Sequence, residues 1–258
     1  MATGNGLKAK KSLGQHWLVD ESSLKSILDL AEVSSSDTIL EIGPGTGNLT
    51  KLLSREAHKV IGVELDSKLV SHLKSLNIPN LEVVNQDILK FKTDDLAKYK
   101  IVANIPYYLT GQLIKYISEL DNRPTLAILL VQKEIAERLT ANPGQLSILG
   151  LICQYYWRIE KGPFISADKF SPPPKVNSQV IKLAPKAKSL PKDKEEALFK
   201  LIKIGFSQKR KTLANNLTRG YRLDKVSARG LIESLNLRPD CRPQTLSLDD
   251  WLKLEALL

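Results

Sequence analysis

Between residues 22 and 130, short runs of β-branched and aliphatic residues alternate with stretches whose apolar positions return every three to four residues. The first pattern fits strands and the second fits amphipathic helices with one buried stripe. Strands are therefore predicted at Thr38–Ile42, Val60–Glu64, Leu81–Val84, Ile101–Ala103 and Leu126–Val131, with helices at about 22–33, 47–56, 67–76 and 110–120. Strands this continuously apolar, alternating with helices, predict a parallel sheet covered on both faces. Such sheets bind ligands at the carboxyl ends of their strands.

After Val131 the alternation stops. Two helical segments, at about 133–140 and 145–155, lead to two strand-like runs, Tyr155–Glu160 and Val176–Leu183. These flank the turn Phe170-Ser171-Pro172-Pro173-Pro174 and suit an antiparallel edge. Pro185 to Pro191 is lysine-rich and poor in large apolar residues, which marks a linker. Beyond it only helical patterns remain, at about 193–206, 209–217, 224–235 and 247–257. The predicted organisation is an α/β domain over residues 1–185 followed by a small all-α domain over 186–258.

Composition narrows the possibilities. A chain of 258 residues with 42% hydrophobic and 26% charged residues is ordinary globular material. No apolar run approaches the roughly 20 residues that span a bilayer, and Met1 to Lys11 carries three lysines with no apolar stretch behind them. A chain free of membranes and unprocessed at its start is expected. The two cysteines, Cys153 and Cys241, lie far apart, as reduced thiols of a cytoplasmic protein would. His16, His58 and His72 are scattered, so no metal site is expected.

Charge is unevenly placed. Residues 182–229 hold fourteen Lys and Arg against Asp193, Glu195, Glu196 and Asp224, an excess as large as the +10 of the whole chain. A zone of this kind can neutralise several phosphates and attract a polyanion. A solvated helical face would carry the same signal, and charge alone does not separate RNA from DNA or an anionic membrane.

Three features carry candidate chemistry. The strand Thr38–Ile42 runs into Gly43-Pro44-Gly45-Thr46-Gly47, a turn in which Gly43, Gly45 and Gly47 let the backbone bend sharply and a nucleoside cofactor approach closely. The spacing differs from the dinucleotide fingerprint and from a phosphate loop. Glu64 closes the second strand about 20 residues later, where a carboxylate accepts hydrogen bonds from a ribose. Asp87 ends the third strand and is placed to accept from an adenine amino group, whereas Asp66 reads as a helix cap.

Asn104-Ile105-Pro106-Tyr107 follows the fourth strand. By itself this tetrapeptide is equally a turn. At the carboxyl edge of such a sheet it suits an exocyclic amine: the Asn104 oxygen and an adjacent carbonyl would hold its N–H groups, and Tyr107 offers a ring on which a base stacks.

Taken together these residues resemble the small-subunit ribosomal RNA adenine N6,N6-dimethyltransferases of the KsgA type, over nearly the whole chain. The resemblance rests on Lys11-Ser12-Leu13-Gly14-Gln15-His16-Trp17-Leu18, on Glu41 to Gly47, on Asn104 to Tyr107, on Phe170-x-Pro172-Pro173-Pro174-Lys175-Val176-x-Ser178 and on Phe206-x-Gln208-Lys209-Arg210-Lys211-Thr212-Leu213. It implies a Rossmann-like sheet that uses S-adenosylmethionine to dimethylate two adjacent adenosines near the 3′ end of 16S rRNA, in the small ribosomal subunit or its precursor. Nothing in the sequence demands more than a monomer, and a monomer is expected.

The resemblance also implies roles. His16, Leu18, Gly43, Glu64, Asp87 and Asn104 fall on the family's cofactor positions, and Asn104, Tyr107 and Phe170 on its target-adenine positions. From the pattern alone Phe170 is a core aromatic ahead of a proline turn; the resemblance makes it a second stacking face opposite Tyr107.

Two departures stand out. His16-Trp17 replaces the usual Asn-Phe or His-Phe, and Ile105 stands where many members have leucine. Isoleucine there is common in related enzymes that methylate large-subunit rRNA, but the Phe206–Leu213 motif and Arg242-Pro243-Gln244-Thr245-Leu246-Ser247 favour the small-subunit enzyme. An RNA-binding assembly factor that has lost the chemistry is a third reading, opposed by the complete set Gly43, Glu64, Asp87, Asn104 and Tyr107.

Overall fold

The computed structural model describes residues 7–10, 13–187, 190–208 and 210–258. Lys11 and Ser12 of the N-terminal motif, and Lys209, lie outside the described residues.

The elements run β1 (Trp17–Leu18), α1 (Glu21–Ala31), β2 (Thr38–Ile42), α2 (Asn48–Glu56), β3 (Lys59–Glu64), α3 (Ser67–Ser75), β4 (Leu81–Asn85), β5 (Tyr99–Asn104), α4 (Thr110–Glu119), β6 (Leu126–Gln132), α5 (Lys133–Leu139) and α6 (Ile148–Tyr156). They continue with β7 (Trp157–Ile165), β8 (Phe170–Ser171), β9 (Ser178–Pro185), α7 (Lys192–Gly205), α8 (Leu213–Tyr221), α9 (Lys225–Glu233) and α10 (Leu248–Ala256). Every strand and helix predicted before Val131 is present.

Seven strands form one sheet in the order β4-β3-β2-β5-β6-β9-β7. The pairs β4-β3, β3-β2, β2-β5 and β5-β6 are parallel. Strand β9 then pairs antiparallel with both β6 and β7, which is the expected antiparallel edge. The central strands are buried on both faces: Ile39 and Leu40 of β2, and Ala127 to Val131 of β6, are all buried. On one face Ile39, Val60, Val102, Ile128 and Val180 join Leu24, Ile27, Leu49 and Leu53 from α1 and α2 in a single core cluster. This is the Rossmann-like methyltransferase sheet that the resemblance implies.

Two boundaries and one strand pair differ from the expectation. Tyr155 and Tyr156 end α6 instead of opening a strand, because their rings pack edge-on to each other, 5.0 Å apart, and within 5.3 and 5.7 Å of Phe199. An aromatic cluster of that kind outweighs the strand preference of the residues. Helix α8 begins at Leu213, where the Thr212 hydroxyl accepts from the Asn215 N–H and caps the first turn. The two-stranded pair β1-β8, Trp17 opposite Ser171 and Leu18 opposite Phe170, was not predicted, since two residues carry no period.

The chain forms two compact units. One runs as far as Ala136 and resumes over Trp157–Pro185; the other is Glu137–Tyr156 with Lys186–Leu258. Segment 137–156 therefore groups with the C-terminal helices, which departs from a single division at residue 185. In the helical unit Leu198, Leu201, Leu213, Leu217, Ile232, Leu254 and Trp251 are all fully buried. Gly205 lets the indole approach, since a Cβ there would stand 2.3 Å from it, and Phe206 stacks on the same ring at 5.9 Å. Part of the Phe206–Leu213 motif thus holds this unit together. Among the described residues no helix is long and apolar enough to cross a membrane.

Candidate active site

Strand β2 has β3 on one side and β5 on the other, so the strand order reverses there and the loops at its carboxyl end diverge. A cavity of about 200 Å³ opens at this point. Its walls come from the turn after β2 (Gly43, Gly45), the end of β3 (Glu64, Leu65), the segment after β4 (Gln86 to Leu89), the loop after β5 (Asn104 to Leu109) and the N-terminal residues Leu13 to Trp17. Four of these stretches converge because the parallel strands β2, β3, β4 and β5 all end on the same side, and the N-terminal residues close the cavity from outside the sheet.

The glycines are required by shape. Gly45 has φ +60°, and a Cβ on it would stand 3.0 Å from Trp17 Cδ1; Gly47, at φ +80°, caps α2 where a Cβ would press on Leu76 and Leu73. Glu64 ties this turn to β3: its Oε2 accepts from the Gly45 N–H at 3.2 Å and its Oε1 from the Asp66 N–H at 2.9 Å. Burial raises the Glu64 carboxyl above its ordinary value, while those N–H groups pull it back. Each carboxylate oxygen keeps a lone pair for a ligand hydroxyl.

Asp87 lines the cavity and also caps the following 3-10 turn, accepting from the Leu89 N–H at 3.0 Å. Asp66, as expected, caps α3 through the Lys68 N–H at 3.1 Å, and holds Lys10 in a 2.7 Å ion pair.

In the loop after β5, the Asn104 amide donates to the His16 carbonyl at 3.1 Å. The donor end of the side chain is thereby committed and Oδ1 is left as the acceptor. Pro106 fixes the start of the 3-10 turn Tyr107–Leu109. The Tyr107 hydroxyl meets the Ser178 hydroxyl at 2.7 Å, and its ring lies nearly parallel to His16, centroids 5.9 Å apart. Burial pushes the Tyr107 phenol above its ordinary value. His16 is fixed in turn by a 2.8 Å contact between Nδ1 and the Pro172 carbonyl.

Thus His16, Gly43, Gly45, Glu64, Asp87, Asn104 and Tyr107 all line the cavity. Gly47 stands behind it at the start of α2. Leu18 and Phe170 do not line it: both are 3% exposed, they pair across β1-β8, and both belong to the core cluster. Leu18 lines a smaller adjoining pocket and offers its carbonyl to Asn48 Nδ2 at 2.9 Å.

Sequence reasoning passed over three neighbours. Glu41, inside β2, is fully buried, its Oε2 has no hydrogen-bond partner among the described residues, and burial pushes its carboxyl up to about 8. A carboxylate inside an apolar strand was the available signal. The Trp17 indole nitrogen is likewise buried and unpartnered among the described residues, beside Gly45. Tyr108 lines the cavity while remaining largely exposed.

Comparison with known proteins decides what kind of site this is. The profile of the family described as ribosomal RNA adenine dimethylase matches residues 6–254. The chain belongs to this family. It is 37% identical to the ribosomal RNA small subunit methyltransferase A of Dehalococcoides mccartyi (strain ATCC BAA-2266 / KCTC 15142 / 195), over 98% of this chain and 90% of that one. The identity to the protein of that description in Staphylococcus aureus (strain MRSA252) is 36%, covering 96% and 89%.

Among solved structures, a dimethyladenosine transferase from Plasmodium falciparum superposes with a TM-score of 0.79 at 32% identity, covering 93% of this chain and 96% of that one. The 23S rRNA methyltransferase ErmE gives 0.76 at 25% identity, covering 93% and 98%. This dimethylase is an S-adenosylmethionine-dependent methyltransferase. Its cavity suits that cofactor: a glycine turn admits close approach, and Glu64, Asp87 and Asn104, from three different segments, line it with hydrogen-bond acceptors.

Proposed function

We propose that this dimethylase modifies two adjacent adenosines near the 3′ end of 16S rRNA, in the small ribosomal subunit or its precursor, acting in the cytoplasm as a monomer. The higher identity to the small-subunit enzymes than to the 23S enzyme, at similar coverage, favours this substrate. Ile105 does not argue for the alternative, because its side chain is 1% exposed and an exchange with leucine changes packing beneath the loop.

The observation that carries the chemical reading is the Asn104–His16 hydrogen bond. An adenine amino group is a weak nucleophile because its lone pair is delocalised into the ring. Asn104 Oδ1 and a neighbouring loop carbonyl accept the two N–H bonds, draw the nitrogen towards tetrahedral geometry and localise that pair. Tyr107 stacks on the base and sets its height above the loop. S-adenosylmethionine supplies the electrophilic methyl group when bound. The proton of the methylated amine leaves afterwards, so no strong base is needed among these side chains.

Glu64 accepts from the ribose hydroxyls of the cofactor and Asp87 from its adenine amino group, with Gly43, Gly45, Gly47, His16 and Leu18 shaping the rest of the cofactor's surroundings. Phe170 serves as a second stacking face only by leaving the core cluster it occupies here. The basic region from residue 186 onward contacts RNA phosphates, with Arg210 and Lys211 exposed on it.

The test is methyl transfer from labelled S-adenosylmethionine to small-subunit particles lacking these modifications, followed by mapping of the label. Dimethyladenosine at two adjacent positions is expected. Label confined to large-subunit RNA, or no transfer under permissive salt, would overturn the proposal.

A further inference from the structure

The loop after β5 carries two consecutive tyrosines in opposite situations. Tyr107 is half-buried, its hydroxyl bonded to Ser178 and one face of its ring against His16. Tyr108 is 59% exposed yet lines the same cavity, which places it at the mouth.

The backbone beneath Tyr108 is fixed. It sits in the middle of the 3-10 turn, between Pro106, whose carbonyl accepts from the Leu109 N–H at 2.9 Å, and the start of α4. Its ring rests on Gly14, where a Cβ would stand 3.2 Å from the ring carbon Cδ1. Gly14 also has φ +56°, so a side chain there would be strained as well as crowded. The loop therefore holds a large apolar ring in solvent on a rigid support beside a site for a polar polymer. An aromatic face left open to solvent beside such a site is placed to take a stacked base.

We propose that Tyr108 is a stacking platform for the nucleotide next to the adenine held at Tyr107. The loop then grips two consecutive bases, one inside the cavity and one at its mouth. This rests on the reading that Tyr107 meets the target base. The role differs from the one the resemblance implies for Phe170, a second face on the target adenine itself, and Phe170 lies in the core. Stacking accepts any base, so the platform adds affinity and register without reading sequence.

The test uses the full chain and a short single-stranded RNA carrying 2-aminopurine beside an adenosine, with binding and fluorescence quenching read together. Tyr108→Ala is expected to weaken binding roughly 5- to 150-fold and to lose the quenching, and Tyr108→Phe to keep both. The thermal melting midpoint of either variant stays within about 2 °C of the wild type, as expected for a largely exposed side chain, which shows that the fold is intact. Wild-type affinity and quenching in Tyr108→Ala would overturn the platform, whatever the particle assay shows. Loss of quenching in Tyr108→Ala, with no methylation of small-subunit particles by the wild type, would sink the rRNA assignment and leave the platform standing.

Discussion

Asn104 and His16, 88 positions apart in sequence, are joined by a 3.1 Å hydrogen bond from the asparagine amide to the histidine carbonyl. The bond fixes the N-terminal segment over the cavity and commits the donor end of Asn104, so that the acceptor end is the one offered to substrate. Asn104→Asp preserves size but removes the donor and sets a carboxylate against a carbonyl. Methyl transfer in this variant should fall by about 100-fold or more, the scale of losing one positioned polar group at a reacting centre. Amide hydrogen exchange around residues 13–18 should quicken as well. Single-turnover kinetics and exchange mass spectrometry check the two effects, and a variant that loses neither would separate Asn104 from both roles.

Tyr107 combines a ring and a hydroxyl, and the two are separable. Tyr107→Phe loses only the 2.7 Å contact with Ser178 and should keep most activity, within about tenfold. Tyr107→Ala removes the stacking surface and should lower kcat/KM roughly 5- to 150-fold. Equal losses in the two variants would place the role of Tyr107 in the hydroxyl instead.

Glu41 gives the fold a pH dependence of definite sign. Its carboxyl titrates near 8 in the folded chain against 4.5 ordinarily, so the folded form retains a proton that the unfolded form has released at neutral pH. Its contribution to stability is complete below the ordinary value and is lost as pH rises from about 4.5 through about 8. Glu41→Gln mimics the protonated form. The variant should match the wild type at pH 4 and melt several degrees higher at pH 8, at about 2–4 °C per kcal/mol for a chain of this size. Melting curves across that window decide it; parallel curves would mean that Glu41 is ionised in the folded state.

The sheet was legible in the sequence because parallel strands buried on both faces leave continuous apolar runs, as in Leu126–Gln132. The cofactor turn was legible because Gly45 and Gly47 hold backbone angles that other residues avoid. What long-range packing decides was not legible. Nothing local pairs Trp17–Leu18 with Phe170–Ser171, and nothing local ends α6 on Tyr156, which depends on Phe199. For Phe170 the plain pattern, a core aromatic, agrees with its burial here, whereas the role implied by resemblance needs a different placement.

Trp17 supplies an optical probe of the cavity. The other two tryptophans, Trp157 and Trp251, are fully buried, whereas Trp17 lines the cavity and its indole lies against Gly45. Adding S-adenosylmethionine should change the intrinsic fluorescence, and Trp17→Phe should abolish the change while leaving a calorimetric binding signal. A change that persists in Trp17→Phe would mean that binding reaches Trp157 or Trp251 through the fold.

Arg210 and Lys211 are exposed, while Phe206 in the same motif is packed on Trp251, so the motif divides between holding the helical unit and facing solvent. Replacing Arg210 and Lys211 by glutamate should therefore leave thermal stability nearly unchanged. If these side chains neutralise phosphates, RNA affinity falls and the dependence of log affinity on log salt loses about 0.7–0.9 in slope per contact removed. Cofactor affinity should not move, because the cavity is built entirely from the sheet unit. Paired titrations with RNA and with S-adenosylmethionine at several salt concentrations measure both quantities. Equal weakening of the two ligands would contradict this division, and an unchanged salt slope would move the phosphate contacts to other residues of the basic zone.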